Sequence, residues 1–442
     1  MHKYFIYPLL LLSLLVNSCK TSEMTSQASD PQRVDDPSPG QPGQADTESG
    51  QQTTDPMKPD EYDTRSLASQ MNEFSFELFK NISQDSPVQN LSFSPVSLNM
   101  AMAVVYSGAR EETLNQTAEV FGFEKDLGLF HPAYHEYLSG LTQLAHDTLV
   151  DFNLANRVFL EETYPILQQY RQAVEKWHGG AFEKTDFVNN PRGAEKHINS
   201  WVEDVTRSRI RDIIPSGTLD ALTRMVMVNA IYIKSDWKHP FEEHKTQEQR
   251  FTTIEGEEAM HDFMIQREDR IPHYESDDVK AIELPYTTPE LSLLLIRPNA
   301  ENIRDLSPYL PSQGKYMEII EGLSTGDVHM EIPKFKVESE FALVDYLKQM
   351  GLQDIFDQRA DLSGISGKRD LQVSAILQKV FFEMDEKGSE AAAATAVVVT
   401  TTAIMPDPEP QEPFRFIADR PFIFVLKENR YHTPLFVGQF VK

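Results

Sequence analysis

Seventeen consecutive residues near the C-terminal end, Ser389 to Met405, read SEAAAATAVVVTTTAIM and contain no proline. Alanine favours helix, whereas Val397 to Val399 and Thr400 to Thr402 favour strand, so the segment has no strong conformation of its own. Every backbone N–H in it can still join a ladder, which allows it to become the central strand of a sheet. In that strand Ser389, Ala391, Ala393, Thr395, Val397 and Val399 share one face, small at first and β-branched later, while Glu390 alone is charged and points the other way. Nothing on the first face is too large or too polar to bury. Gly388 supplies a permissive joint on the N-terminal side, after the β-like run Val380-Phe381-Phe382. Beyond Met405 the character reverses: Pro406, Pro408, Pro410 and Pro413 alternate with Asp407, Glu409 and Glu412 and exclude an interior strand.

The hinge pattern Glu386-Lys387-Gly388-Ser389-Glu390-Ala391-Ala392, extended by Ala393 and Ala394, is followed by Phe416-Ile417-Ala418-Asp419-Arg420-Pro421-Phe422. Together these resemble the reactive-centre loop of the serpins, a family of protease inhibitors. Other passages resemble the same family in the same order. Asn90-Leu91-Ser92-Phe93-Ser94-Pro95 hands a short strand to a helix, with Ser94 as a natural cap and Pro95 as a first-turn residue. Met225 to Ile233 is a continuous apolar run that carries Asn229 into Ser235-Asp236-Trp237-Lys238-His239-Pro240-Phe241. Ile332-Pro333-Lys334-Phe335 leads through Phe341 to Gly351, read as a helix, and Ser374 to Met384 is the strand that feeds the loop.

The resemblance covers nearly all of 63–442. It implies an α+β serpin fold in one domain: three β-sheets, about nine helices and an exposed reactive-centre loop at about 387–414. It also implies a metastable main sheet that lacks a strand. A target protease would attack the loop and form an acyl-enzyme, after which the cut loop would insert from Ser389 onward. Roughly 14 residues at ~3.3 Å each would carry the protease about 45 Å. By the family's usual spacing from Glu386, the reactive bond is Thr402-Ala403, with Thr401 and Ile404 as alternatives. Small and β-branched residues from Val397 to Ala403, without Arg or Lys, point to an elastase-like serine protease, and a papain-like cysteine protease is the alternative partner. A non-inhibitory binding or chaperone role is the competing function. The sheet-opening region is expected to combine Ser94, Ser97, Asn229, Trp237 and Gln378, the last standing where many serpins have His.

Amphipathic spacing starts at Leu67 and continues through Met71, Phe74, Leu78 and Ile82. Further helices are read around Ile166 to Trp177, Ala194 to Arg209 and Ile303 to Ile320, and Asp151 to Leu160 alternates as a strand. The formal net charge of −27 argues against nucleic acid or an anionic membrane surface as a partner. The single cysteine excludes an internal disulfide and a thiol redox pair. It is Cys19, which follows an apolar run too short to span a membrane. Residues 1–18 fit a signal peptide, and Leu15-Val16-Asn17-Ser18-Cys19 resembles a bacterial lipobox in which Cys19 is lipidated. An ordinary cleaved signal is the alternative. Residues 19–62, Ser, Thr, Gln, Pro, Gly and Asp with almost no large apolar side chain, read as a disordered tether. An exported monomer is expected, held by lipid to a bacterial membrane, the outer one, on its periplasmic or its outward side. No cofactor is expected. His178-Gly179-Gly180-Ala181 resembles an esterase oxyanion loop but no GxSxG accompanies it, and His131 with His135 reads as a solvated pair rather than a metal site.

Overall fold

Asp63 caps the first helix, Thr64–Asp85, its carboxylate accepting from the Ser66 N–H at 2.8 Å. The stripe Leu67, Met71, Phe74, Leu78 and Ile82 is buried along one side of that helix. The computed structural model describes residues 63–179, 182–389 and 412–442. Cys19, the leader and tether, Glu390 to Ala394 and the expected reactive bond with its neighbours Thr401 to Ile404 lie outside the described residues.

Among the described residues there are nine α-helices, in agreement with the about nine implied by the resemblance, and the strands join into two hydrogen-bonded networks. The larger network holds two of the fold's three sheets, fused through the long strand Glu258–Glu275. Its body pairs with Gln247–Thr252 and Ser324–Pro333, and its last residues, His273 to Glu275, pair with Val279–Pro285. A register shift between Glu268 and Ile271 lets one strand serve both sheets.

The smaller network is the main sheet, ordered Phe335–Ala342, Ala375–Met384, Met225–Asp236, Val150–Glu161, Phe182–Thr185. Both faces of its central strand are covered, which is why Met225 to Ile233 reads as an unbroken apolar run. Val226, Val228, Ala230 and Tyr232 pack under the helix Pro191–Val205 with Ile198 and Val202, whereas Met225, Met227, Ile231 and Ile233 face the main core.

The two central strands are forked. Ala375–Met384 runs parallel to Met225–Asp236 but pairs with it only from Ala375↔Val226 to Val380↔Ile231. Above that point, among the described residues, Phe381 to Met384 and Tyr232 to Asp236 do not pair with each other. Gly388–Ser389 instead lies antiparallel on Ser235–Asp236, at the mouth of the fork.

Two expectations are corrected. The helical piece read over Ile303 to Ile320 is a 3-10 turn at Ser307–Tyr309 and a helix only from Gln313 to Glu321, because Pro308 and Pro311 interrupt it and Ser312 caps the later start. Phe341 belongs to a strand, paired with Gln378, and the helix that follows is the short Val344–Gln349.

Candidate functional site

The site is the junction between the loop-feeding strand and the mouth of the fork. Asp385 builds the turn: its carboxylate accepts from the N–H groups of Lys387 at 2.8 Å and Gly388 at 3.2 Å. Its own N–H donates to Gly388 O at 3.0 Å. Glu386 anchors the turn sideways, accepting from the Thr246 hydroxyl at 2.8 Å and lying 3.0 Å from Lys334 Nζ. Burial would raise the Glu386 carboxyl, but the Thr246 hydroxyl, a backbone N–H and Lys334 outweigh it and hold the group below the ordinary carboxylate range. Burial likewise opposes the Lys334 charge, and Glu386 overcomes it.

Trp237 closes the other side. Its indole N–H donates to Asp385 O at 2.9 Å, its backbone N–H donates to Lys387 O at 2.7 Å, and the Phe241 N–H donates to Glu386 O at 2.8 Å. The buried Trp237 ring stacks on Tyr286 at 4.3 Å, and the Tyr286 hydroxyl lies 2.5 Å from Ser389 Oγ. Gly388 is required by close approach, since a Cβ there would lie 2.1 Å from Ser235 O. Thr246, Lys334 and Tyr286 were not singled out from the sequence as site residues. Each comes from a distant segment, and the one signal of their role was an acid, Glu386, inside a hinge otherwise made of small residues.

Lower down, Ser94, Ser97, Asn229 and Gln378 meet where the main sheet crosses the start of the helix Pro95–Tyr106. Gln378, fully buried, accepts from Ser94 N–H at 3.0 Å and donates to Ser94 O at 2.8 Å and to Ser97 Oγ at 3.0 Å. One amide therefore supplies both a donor and an acceptor to this cluster. Ser94 occupies the N-cap position, but its side chain makes no cap hydrogen bond and its hydroxyl has no partner among the described residues. Asn229 lies between Asn156 and Gln378 in the register of the sheet, and both polar atoms of its side chain are buried without a partner among the described residues. Trp237 sits apart from this cluster, under the hinge.

The competing histidine signals resolve into packing. His178 is buried with Nε2 2.9 Å from Ser107 Oγ, but its Nδ1 has no partner among the described residues, so none of their carboxylates orients the ring as a base. Burial, then the nearby His131 and His135, hold His178 down to about 3. His131 is not solvated as expected. It stacks on Trp177 at 6.1 Å and burial lowers it to about 4, whereas His135 is exposed.

The family model described as Serpin (serine protease inhibitor) matches residues 69–442. The leukocyte elastase inhibitor of Xenopus laevis is 35% identical over 385 residues, spanning 85% of this chain and 98% of its own length. Human Serpin B3 is 34% identical over 394 residues, spanning 85% and 99%. Among solved structures, Serpin48 of the insect Tenebrio molitor is 29% identical and covers 86% of this chain and 98% of its own, with a TM-score of 0.75. A hinge seated at the mouth of a forked main sheet, in a three-sheet fold matched from residue 69 to the last residue, agrees with these likenesses, and the chain belongs to the serpin family.

Proposed function

We propose that this serpin inhibits as a suicide substrate, trapping a protease as an acyl-enzyme while the cut loop inserts into the main sheet. The observation that carries this reading is the antiparallel seating of Gly388–Ser389 on Ser235–Asp236 above the last paired residues of the two central strands. Continuing that register sets Glu390 opposite Lys234, Ala391 opposite Ile233, Ala393 opposite Ile231, Thr395 opposite Asn229 and Val397 opposite Met227. Directly opposed residues in an antiparallel pair share a face. The small-to-branched row therefore goes to the main core, the Thr395 hydroxyl comes to the unpartnered Asn229 amide, and Glu390 goes to the other face beside Lys234.

Cleavage is assigned to Thr402-Ala403, with Thr401 and Ile404 as neighbours that shift the cut by a residue or two. An elastase-like serine protease fits the small, uncharged residues before the bond, and relatives named leukocyte elastase inhibitor support that class. A papain-like cysteine protease is the alternative. Cys19 is read as the lipidated start of an exported monomer, with residues 20–62 as its tether.

The test is incubation of the protein with elastase, followed by a denaturing gel and intact mass. A heat-stable covalent complex with release of a peptide that starts at Ala403 is the expected result. Clean cleavage without a complex by elastase, subtilisin and papain would overturn the proposal and leave a non-inhibitory binding role.

A further inference from the structure

The hinge register, continued to the far end of the main sheet, leads to a surface that the loop itself does not form. Gly388 opposes Asp236 and Ser389 opposes Ser235, so each step forward in the loop is one step back in the strand. Val399 then meets Met225, the first residue of the strand, and Thr402 comes level with Leu222 in the turn that precedes it. The seam between the two central strands is closed at this end. Ser374 N–H donates to Met225 O at 2.9 Å, and Ser374 Oγ accepts from the Arg224 N–H at 3.0 Å. Insertion that stops at Val399 leaves Thr400 to Thr402 as a leash of about 10 Å.

The turn at that end holds an apolar side chain out in water. Leu222 is 75% exposed, more than any other large apolar side chain among the described residues. Its N–H donates to Asp220 Oδ1 at 2.9 Å, the Thr223 N–H donates to Asp220 O at 3.1 Å, and Arg224 Nη1 donates to Ala221 O at 2.9 Å, so the turn is fixed on both sides of the leucine. Beside it opens a recess of about 330 Å³, lined by Leu222 with Thr218, Val344, Lys348, Phe356 and Val373. A single exposed leucine is ordinary on a protein surface. This one is set apart by its place, within a leash length of the bond that would carry the protease, and by a turn that has no ordering cost left to meet on binding.

We infer that this end of the molecule is a docking surface for the acyl-linked protease, with Leu222 as its apolar anchor and the recess beside it receiving the rim of the protease's cleft. The inference rests on the inhibitory reading above. A protease joined at Thr402 holds the ester carbonyl inside its own active-site opening, so the surface around that opening is what the short leash brings against Leu222. In a protease that accepts small uncharged side chains that rim is apolar enough to cover a leucine. The complex decays when water adds to the Thr402 carbonyl carbon and the protease serine leaves with its proton restored. Contact at Leu222 opposes the return of the cleft to the shape that this step needs, so a side chain of the inhibitor's body, and not the length of the loop alone, sets how long the protease stays trapped.

The test compares the wild type with Leu222→Asp and Leu222→Met. Covalent complexes with elastase are isolated, and their decay is read as protease activity regained on a chromogenic peptide. Leu222→Asp should form complex at the wild-type rate, and its cleaved form should melt at the wild-type temperature, because the side chain lies outside the core. Its complex should release active protease about tenfold faster, whereas Leu222→Met should keep the wild-type lifetime. Equal lifetimes for all three proteins would overturn the docking surface and leave the inhibitory reading standing. A cleaved Leu222→Asp form that melts lower would place the effect in the sheet and also overturn it. Absence of covalent complex with the wild type would remove both readings together.

Discussion

Glu386 holds the hinge through one carboxylate shared between a hydroxyl and an ammonium. Because its folded pKa is depressed, its contribution to stability is present above the unfolded value near ~4.3 and is lost as pH falls through the lower folded value. Glu386→Gln should therefore melt below the wild type near neutral pH, and the difference should start to shrink as pH falls below about 4.3 and vanish only below the depressed folded value. Thermal melts of both proteins across that range check it, and a constant difference would remove the charge from the argument. The importance of Glu386 was legible in the sequence because the hinge motif names it. Its partners were not, since no spacing links Thr246 or Lys334 to residue 386; only folding brings them together. Ser94 is the converse case: a serine before a proline has the chemistry of a cap, but Gln378 engages its backbone N–H and C=O and leaves the hydroxyl idle.

At the scale of elements, the continued register makes a prediction that the hinge alone does not. Glu390, the one charge in the insertable segment, would arrive beside Lys234 on the face covered by the helix Pro191–Val205. Lys234→Glu should lower the yield of covalent protease complex in favour of cleaved protein, because like charges directly opposite each other in a ladder oppose pairing. Adding Glu390→Lys should restore the yield. Densitometry of the two gel bands reads both outcomes, and failure of the double variant to recover would exclude this register. On the core face, Ala393→Arg should turn the inhibitor into a substrate, raising the stoichiometry of inhibition by about tenfold or more, since a charge would be buried without a partner. Strand character and the proline-free run were legible in this region. The helix boundaries around residues 303–320 were not, because hydrophobic spacing continues through Pro308 and Pro311 while the backbone cannot.

For the whole molecule, composition and apolar patterning indicated a large core and an insertable strand, whereas sheet order and the fusion through Glu258–Glu275 rest on pairings between distant segments and became legible only through the resemblance. If the loop inserts from Ser389 to Val399, the cleaved protein gains a central strand worth on the order of 10 kcal/mol in net backbone hydrogen bonding, and it should melt roughly 12 °C above the intact form. Equal melting temperatures before and after a single cut would rule out insertion. Cys19→Ser should move the expressed protein from the detergent phase to the aqueous phase in a phase-partition assay, and unchanged partitioning would exclude lipid at that residue. The fork between Ala375–Met384 and Met225–Asp236 can also be viewed as a fracture already started. Its tip sits at Val380↔Ile231, so residues 389–392 would slide into a slot that is open, and Ala393 is the first to meet a closed seam. From there the advancing strand breaks one pair at a time, each resisting by about 1 kcal/mol, which is close to thermal energy. A sheet that would resist being pulled apart all at once can in this way be split from its edge, at the speed of a tear rather than of a rupture.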